Sequence, residues 1–380
     1  MQNCRPQIVF VTPHYGRASG GVGVSAERIV RFLGEGHDVD VVVPDRLLAL
    51  RQVNVRRIPA GKLHGVGGLT KDAGTLQFLT EYIVSKLPKA SVVILFYIGR
   101  EACAGTHAAK ILQVPIVACG RGDDVDLLPF TEEGWRIIHL LSSANEVVAV
   151  SSEMAGKVRA LNDSVQVSVI PNSTDPVLFP YQHDYSISEV QVIGLFGEIK
   201  RKKGLDLLLI ACRDLSLPLY ICGTLREESR KLLQGVCALS PETVELISEF
   251  PYTDSLPELI KRYYAVDIVC IPSYFEGMPN VLLEAMSCGK VVVAAAVGGC
   301  RDLIEDGVTG YLFDPEDSSS LTEAISRASS ELPHRGEELR REARSKIEKV
   351  GHWQLEQRRY TDLLQRVLGA DLCLIFGGYI

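Results

Sequence analysis

The 380-residue sequence has no long hydrophobic run, no basic excess and no C-x-x-C pair. Its longest apolar stretches, such as Val92–Ile98 and Val291–Val297, fall well short of the roughly 18 residues that a membrane-crossing helix needs. The first residues lead straight into Gln7-Ile8-Val9-Phe10-Val11, which reads as a strand. A charged n-region with a long apolar h-region is lacking, so a signal peptide is not expected. Forty basic residues stand against forty-seven acidic ones, a net charge of −7, which argues against a nucleic-acid partner. Of the ten cysteines, the closest pair is Cys212 and Cys222, so zinc and thioredoxin-like readings lack support. Cys222 and Cys270 lie in apolar strand patterns and read as buried thiols, which with no export signal predicts a cytoplasmic protein. With 46% hydrophobic and 23% charged residues, the composition is that of a globular chain and not of a disordered one.

The length fits two domains of roughly 150–200 residues. Short β-branched runs recur at 7–11, 39–43, 92–98, 115–119, 146–150 and 166–170, with helical spacing between several of them, as in Ser25–Glu35 and Thr70–Leu87. The rhythm restarts at 190–196, 217–222, 244–250, 267–272 and 290–295. Strands alternating with helices predict α/β units with parallel sheets, whose two covered faces make the strand runs continuously apolar. The Pro- and Asn-rich stretch from Pro171 onward is polar and broken, which predicts a domain boundary near 180–188. The expected division is 1–185, 186–355 and a C-terminal helix and tail, 356–380, returning to the first domain. A helix pattern covers about 336–368. The apolar tail Leu372-Cys373-Leu374-Ile375-Phe376 reads as a packed terminal strand or a disordered end. No repeat of fixed period is visible.

Three segments could carry chemistry. Ser19-Gly20-Gly21-Val22-Gly23 lies between a strand and a helix expected from Ser25, where glycines let backbone approach a ligand and a helix start offers free N–H groups. It lacks the G-x-G-x-x-G spacing, and a structural turn fits it equally well. Gly197-Glu198-Ile199-Lys200-Arg201-Lys202-Lys203-Gly204 follows the strand pattern 190–196. Consecutive cations at the C-terminal edge of a parallel sheet suit a phosphate clamp, with a solvated basic turn as the plain alternative. The third segment runs from Pro272 through Glu276-Gly277-Met278-Pro279-Asn280 to Glu284 and Gly289. A strand feeds a loop and then a helix starting near Pro279 or Asn280, whose N–H groups could hold a diphosphate. The Glu276-x₇-Glu284 spacing alone carries nothing, since Glu27/Glu35, Glu323/Glu331 and Glu348/Glu356 share it.

The block 267–313, continuing through Gly298-Gly299-Cys300-Arg301-Asp302 to Gly310-Tyr311-Leu312-Phe313, resembles the nucleotide-sugar domain of family 4 retaining glycosyltransferases. Gly20-Gly21, Pro171-Asn172-Ser173-Thr174-Asp175 with Phe179, and Phe196-Gly197 with Lys203-Gly204 resemble further motifs of that family. The resemblance covers most of residues 5–365. It implies the GT-B fold, two Rossmann-like domains with parallel sheets facing each other across a cleft. It also implies sugar transfer from a nucleoside-diphosphate donor to an acceptor hydroxyl with retained anomeric configuration. A nucleotide-sugar epimerase of the same fold and a non-catalytic nucleotide-sugar-binding subunit are the alternatives.

By position, the resemblance assigns Lys203, with Arg201 or Lys200, to the donor phosphates. Glu284 falls to the ribose and Glu276 to the donor sugar. The backbone around Gly277, Met278, Pro279 and Asn280 falls to phosphate and sugar hydroxyls, with Gly20 and Gly21 beside the diphosphate. Two departures stand out. Glu198 occupies the place of the family's usual Arg, and Gly120-Arg121-Gly122-Asp123-Asp124-Val125-Asp126 stands where the family often has a His. Arg121 and Asp123 are therefore expected to position acceptor or donor hydroxyls. His107 reads as a surface or packed residue. Asp124-Val125-Asp126 and Asp38-Val39-Asp40 both spell D-x-D, and two matches in one chain show how cheaply that metal pattern arises. No metal or redox cofactor is expected. The resemblance favours a UDP-sugar donor, leaves a glycan, lipid-linked or small-molecule acceptor open, and is compatible with peripheral contact at the inner face of a membrane. The segment Pro59–Gly74 is expected to shape the acceptor pocket.

Overall fold

The computed structural model describes residues 5–16, 20–43, 71–187, 190–239, 241–317 and 319–369. Most of the Pro59–Gly74 segment and the apolar tail 372–376 lie outside them. The chain divides into two compact units. Unit 1 is Met1–Ile170 with Glu356–Ile380, and unit 2 is Pro171–Leu355.

Unit 1 contains β1 (Gln7–Val11), α1 (Gly20–Gly36), β2 (Asp38–Val42), α2 (Lys71–Lys86), β3 (Ala90–Phe96), α3 (Arg100–Leu112), β4 (Ile116–Cys119), α4 (Asp123–Asp126), α5 (Gly134–Ser143), β5 (Glu146–Ala149), α6 (Ser152–Leu161) and β6 (Val167–Val169). Its sheet is parallel in the order β2-β1-β3-β4-β5-β6. The β-branched runs read from sequence are these strands; the inner ones are buried on both faces, as a parallel sheet covered by helices requires, and the edge strand β6 is half-buried. Helix α1 starts at Gly20 and not at Ser25, so the glycine cluster supplies its first turns. Glycine is a poor helix former, which hides that start in the sequence. The helix is held instead by its buried face, with Ala26, Ile29, Val30 and Leu33 against β1 and β2.

Unit 2 contains β7 (Ile193–Ile199), α7 (Leu205–Leu215), β8 (Leu219–Leu225), α8 (Glu227–Leu239), α9 (Pro241–Leu246), β9 (Ile247–Phe250), α10 (Leu256–Tyr264), β10 (Ile268–Ile271), α11 (Asn280–Ser287), β11 (Val291–Ala295), α12 (Gly299–Leu303), β12 (Tyr311–Phe313) and α13 (Ser320–Val350). The strand order is β12-β11-β10-β7-β8-β9, again parallel. Strand β7 runs three residues beyond the expected 190–196. Gly197 and Glu198 pair with Gly223 and Thr224 of β8, so the strand ends just before the cations. The last helix pattern is two helices, α13 and α14 (Trp353–Leu368), broken at Gly351.

The boundary falls at Ile170/Pro171 and not at 180–188. The polar stretch after Pro171 is fastened to unit 2. Asn172 Nδ2 donates to the Met278 carbonyl at 2.7 Å, Ser287 Oγ to the Phe179 carbonyl at 2.7 Å, and Lys290 Nζ to Gln182 Oε1 at 2.6 Å. The chain then re-enters unit 1 along α14. There Tyr360, Leu363 and Leu364 join a core with Phe10, Phe32 and Phe96, and Arg28 meets buried Glu356 at 2.8 Å. No helix among the described residues is long and apolar enough to cross a membrane.

Candidate functional site

In an open parallel sheet, ligands bind beyond the C-terminal ends of the strands, where the strand order reverses. In unit 2 that point lies between β7 and β10. The loop after β7 carries the cations, as a 3₁₀ turn over Arg201–Lys203 closed by Gly204. The loop after β10 carries Glu276 and leads into α11, with Pro279 capping the start. Lys203 Nζ forms an ion pair with Glu276 Oε1, and Ser273 Oγ donates to the same oxygen at 2.8 Å. The Glu276 side chain is only 9% exposed. Burial works to raise its pKa, but the charges of Lys203 and Lys202 and the two hydrogen bonds outweigh burial and hold it below the usual carboxylate range.

Two glycines let these loops close on each other. Gly204 has φ +65°, and a Cβ there would stand 1.9 Å from the Pro272 carbonyl oxygen. Gly298, before α12, has φ +48°, and its Cβ would stand 1.8 Å from the Glu276 carbonyl oxygen. The next residue, Gly299, donates its N–H to the Gly277 carbonyl at 2.7 Å. With Asn172 on the Met278 carbonyl, the Glu276–Met278 backbone is fixed from two sides. One turn inside α11, Glu284 accepts a 2.7 Å hydrogen bond from the Tyr263 hydroxyl. The Tyr263 ring is fully buried and stacks on Phe196 at 4.2 Å between centroids.

The structure thus brings Lys203, Glu276, Gly277, Met278, Pro279 and Asn280 onto one sheet edge, with Glu284 on the helix that follows. Arg201 is exposed and Lys202 lies over the Phe275 ring at 4.9 Å. Lys200 is not spare charge: it pairs with Glu198 at 2.8 Å, and Arg226 pairs with the same carboxylate. Burial opposes ionisation of Glu198, yet the two cations win and lower its pKa. Sequence reasoning missed Arg226, Tyr263 and the Asn172 contact. None carries a local pattern, because each acts through a partner distant along the chain.

In unit 1 the order reverses between β1 and β3. Gly20 and Gly21 are exposed at the start of α1. Past β4, Arg121 is 6% exposed and its guanidinium lies over the Phe96 ring at 4.3 Å, so this side chain is turned into the unit's interior. Asp123 is half-buried at the start of α4. Asp124 is fully buried and accepts from the N–H groups of Ile98 (2.8 Å), Arg121 (2.9 Å) and Gly122 (2.8 Å). Asp126 takes Lys157 at 2.7 Å. The second D-x-D is likewise engaged, with Asp40 accepting from Gln7 Nε2. His107 is exposed on α3. Sequence reasoning also missed His14 and Tyr97, which follow β1 and β3 and meet edge to face at 5.1 Å.

Two doubly wound parallel sheets, each with polar side chains gathered where its strand order reverses, define a tandem Rossmann-type α/β protein. Residues 19–178 match the family model described as Glycosyltransferase Family 4, and residues 190–331 match the one described as Glycosyl transferases group 1. The chain belongs to this glycosyltransferase family. The D-inositol 3-phosphate glycosyltransferase of Mycolicibacterium smegmatis is 28% identical over 241 residues, 60% of this chain and 52% of its own. The match therefore spans about half the length of that relative. Among solved structures, sucrose-phosphate synthase from Thermosynechococcus elongatus superposes with a TM-score of 0.80 at 18% identity, covering 96% of this chain and all of its own. Anabaena HepE in complex with UDP and glucose gives 0.76 at 18% identity, with 95% and 100% covered. These superpositions show the shared GT-B fold.

Proposed function

We propose that the protein transfers a sugar from a nucleoside-diphosphate donor to an acceptor hydroxyl with retained anomeric configuration. The observation that carries the reading is the Lys203–Glu276 pair at the strand-order reversal of unit 2, set on glycine-closed loops beside the start of α11. In this reading Lys203 faces the departing diphosphate, and the N–H groups at the start of α11 share that charge. Glu276 accepts from donor-sugar hydroxyls while holding the Lys203 ammonium in place. Glu284, oriented by Tyr263, accepts from the ribose. Gly20, Gly21 and Arg201 are assigned to substrate, and unit 1 to the acceptor, with Asp123 as a hydrogen-bond acceptor and Arg121 supporting its loop from below.

The bond between the anomeric carbon and the diphosphate oxygen breaks, and the acceptor oxygen bonds to the same face of the sugar. That approach brings the acceptor proton next to the departing phosphate oxygen, which takes it. A UDP-sugar is favoured as donor because HepE, of the same fold, was solved with UDP and glucose. The test is incubation with a panel of nucleotide sugars, following nucleoside-diphosphate release and the anomeric configuration of the product by NMR. Transfer with retention supports the reading. Release of diphosphate with an isomerised free sugar identifies an epimerase, and no turnover with any donor contradicts catalysis.

A further inference from the structure

Tyr97, the first residue past β3, has φ +82°, a left-handed conformation that a bulky side chain rarely adopts. Such strain persists only where the surroundings over-determine it, and it concentrates at ligand sites. The surroundings here are explicit. The Tyr97 N–H donates to the Cys119 carbonyl at 3.0 Å, and its own carbonyl accepts from the Gly99 N–H at 3.0 Å. The next N–H, that of Ile98, is taken by the buried Asp124 carboxylate, which also holds Arg121 and Gly122 of the neighbouring loop. The ring lies over Gly99, where a Cβ would press on it at 3.1 Å, and meets His14 edge to face. His14 is itself set by the Thr12 hydroxyl, which accepts from the His14 N–H at 3.1 Å. Both rings are half-buried and stand at the β1/β3 reversal of the sheet, the counterpart in unit 1 of the Lys203–Glu276 position in unit 2. Burial, with the charges of Asp124, Asp123 and Glu101, pushes the Tyr97 hydroxyl pKa up, so it stays a neutral donor.

We propose that Tyr97 and His14 form the acceptor platform of unit 1, taking a neutral sugar or polyol ring by its C–H face, with Asp124 as the positioning residue that holds Tyr97 in its strained turn. The inference rests on the glycosyltransferase reading and adds to it the acceptor's chemical class. An aromatic face suits the apolar side of a sugar ring. Glu101, whose Oε2 stands 3.9 Å from the Cβ position of Gly99 beside the Tyr97 ring, disfavours a phosphorylated ring.

Saturation-transfer NMR on the full chain, with UDP present, tests this with methyl α-D-glucopyranoside, methyl α-D-mannopyranoside and myo-inositol as neutral probes, and glucose 6-phosphate as the anionic one. At least one neutral probe is expected to bind wild type and Tyr97→Phe alike. It should bind Tyr97→Gly and His14→Ala about tenfold more weakly, the effect of losing one contact worth 1.4 kcal/mol. Glycine suits the φ of position 97, so Tyr97→Gly removes the ring without adding backbone strain. Asp124→Asn should weaken the same probe while Tyr97→Phe does not, and His107→Ala serves as the control. Binding of no neutral probe, preference for glucose 6-phosphate, or a signal lost in Glu276→Gln but kept in Tyr97→Gly overturns the proposal. UDP affinity is measured on each variant. Failure of wild type to bind UDP strikes the donor reading of unit 2 and leaves the Tyr97 comparison intact.

Discussion

Lys203 and Glu276 are 73 positions apart and share one partly buried ion pair. A cation already held in place needs no rearrangement when negative charge develops on a leaving group, which is the basis of electrostatic catalysis. Lys203→Ala is therefore expected to raise the barrier by about 2.7–4 kcal/mol. A variant that melts like wild type and keeps its turnover at saturating donor would refute the phosphate assignment. The two carboxylates should separate by readout. Glu284→Gln weakens nucleoside-diphosphate affinity by about 1.5–3 kcal/mol, the cost of a charge-assisted hydrogen bond, because an amide is a poorer acceptor for ribose hydroxyls. Glu276→Gln is expected to lower turnover more than nucleotide affinity, because the proposed function assigns it to the donor sugar. Calorimetric titration with UDP and initial rates on both variants decide this, and unchanged values in both would remove the unit 2 site. Of these residues, Glu276, Glu284 and Lys203 were legible in the sequence, through strand–loop–helix context and family resemblance. Tyr263 and Arg226 were not, since a buried tyrosine at helical spacing and one arginine among many carry no local mark.

At the scale of elements, α4 shows how a charged motif can be architectural. Asp124 accepts from three backbone N–H groups and Asp126 takes Lys157, so the two carboxylates of this D-x-D serve the protein's own groups. Sugar transfer is accordingly expected to survive chelator treatment. Activity lost to chelation and restored by manganese would make these acids ligands. The segment after Pro171 gives a second case. Lys290 is fully buried and donates to Gln182 Oε1 at 2.6 Å and to the Val266 carbonyl at 2.9 Å, fastening the segment to unit 2. Burial, aided by the Arg340 charge, pushes its pKa down from 10.5 to about 7. Between that value and 10.5 the unfolded chain binds the extra proton, so stability should rise with pH across this window. Lys290→Met should flatten that rise in urea melts at pH 7 and pH 9, and an identical slope in both proteins contradicts it. The sequence placed a boundary here because Pro and Asn clusters usually mark loose connections. Only the long-range hydrogen bonds show that this one is held.

For the whole molecule, the alternation of strand and helix made two parallel-sheet units readable from sequence, because a sheet covered on both faces writes itself as continuous apolar runs. The strand order was not readable, and strand order fixes where each sheet can hold a ligand. It puts Lys203 with Glu276 in unit 2 and His14 with Tyr97 in unit 1, pairs whose members no sequence window contains. In the proposed reading the donor falls to unit 2 and the acceptor to unit 1. The most direct test of that assignment is a thermal-shift titration with nucleoside diphosphates on wild type and on Lys203→Ala, Glu284→Gln and Asp123→Asn. Wild type with a cognate diphosphate, UDP first, at a hundred times its dissociation constant should gain about 2.7 kcal/mol of stability. Asp123→Asn should keep that gain, while Lys203→Ala and Glu284→Gln should lose most of it at the same concentration. No shift with any nucleoside diphosphate, or an equal shift in all four proteins, would contradict the account.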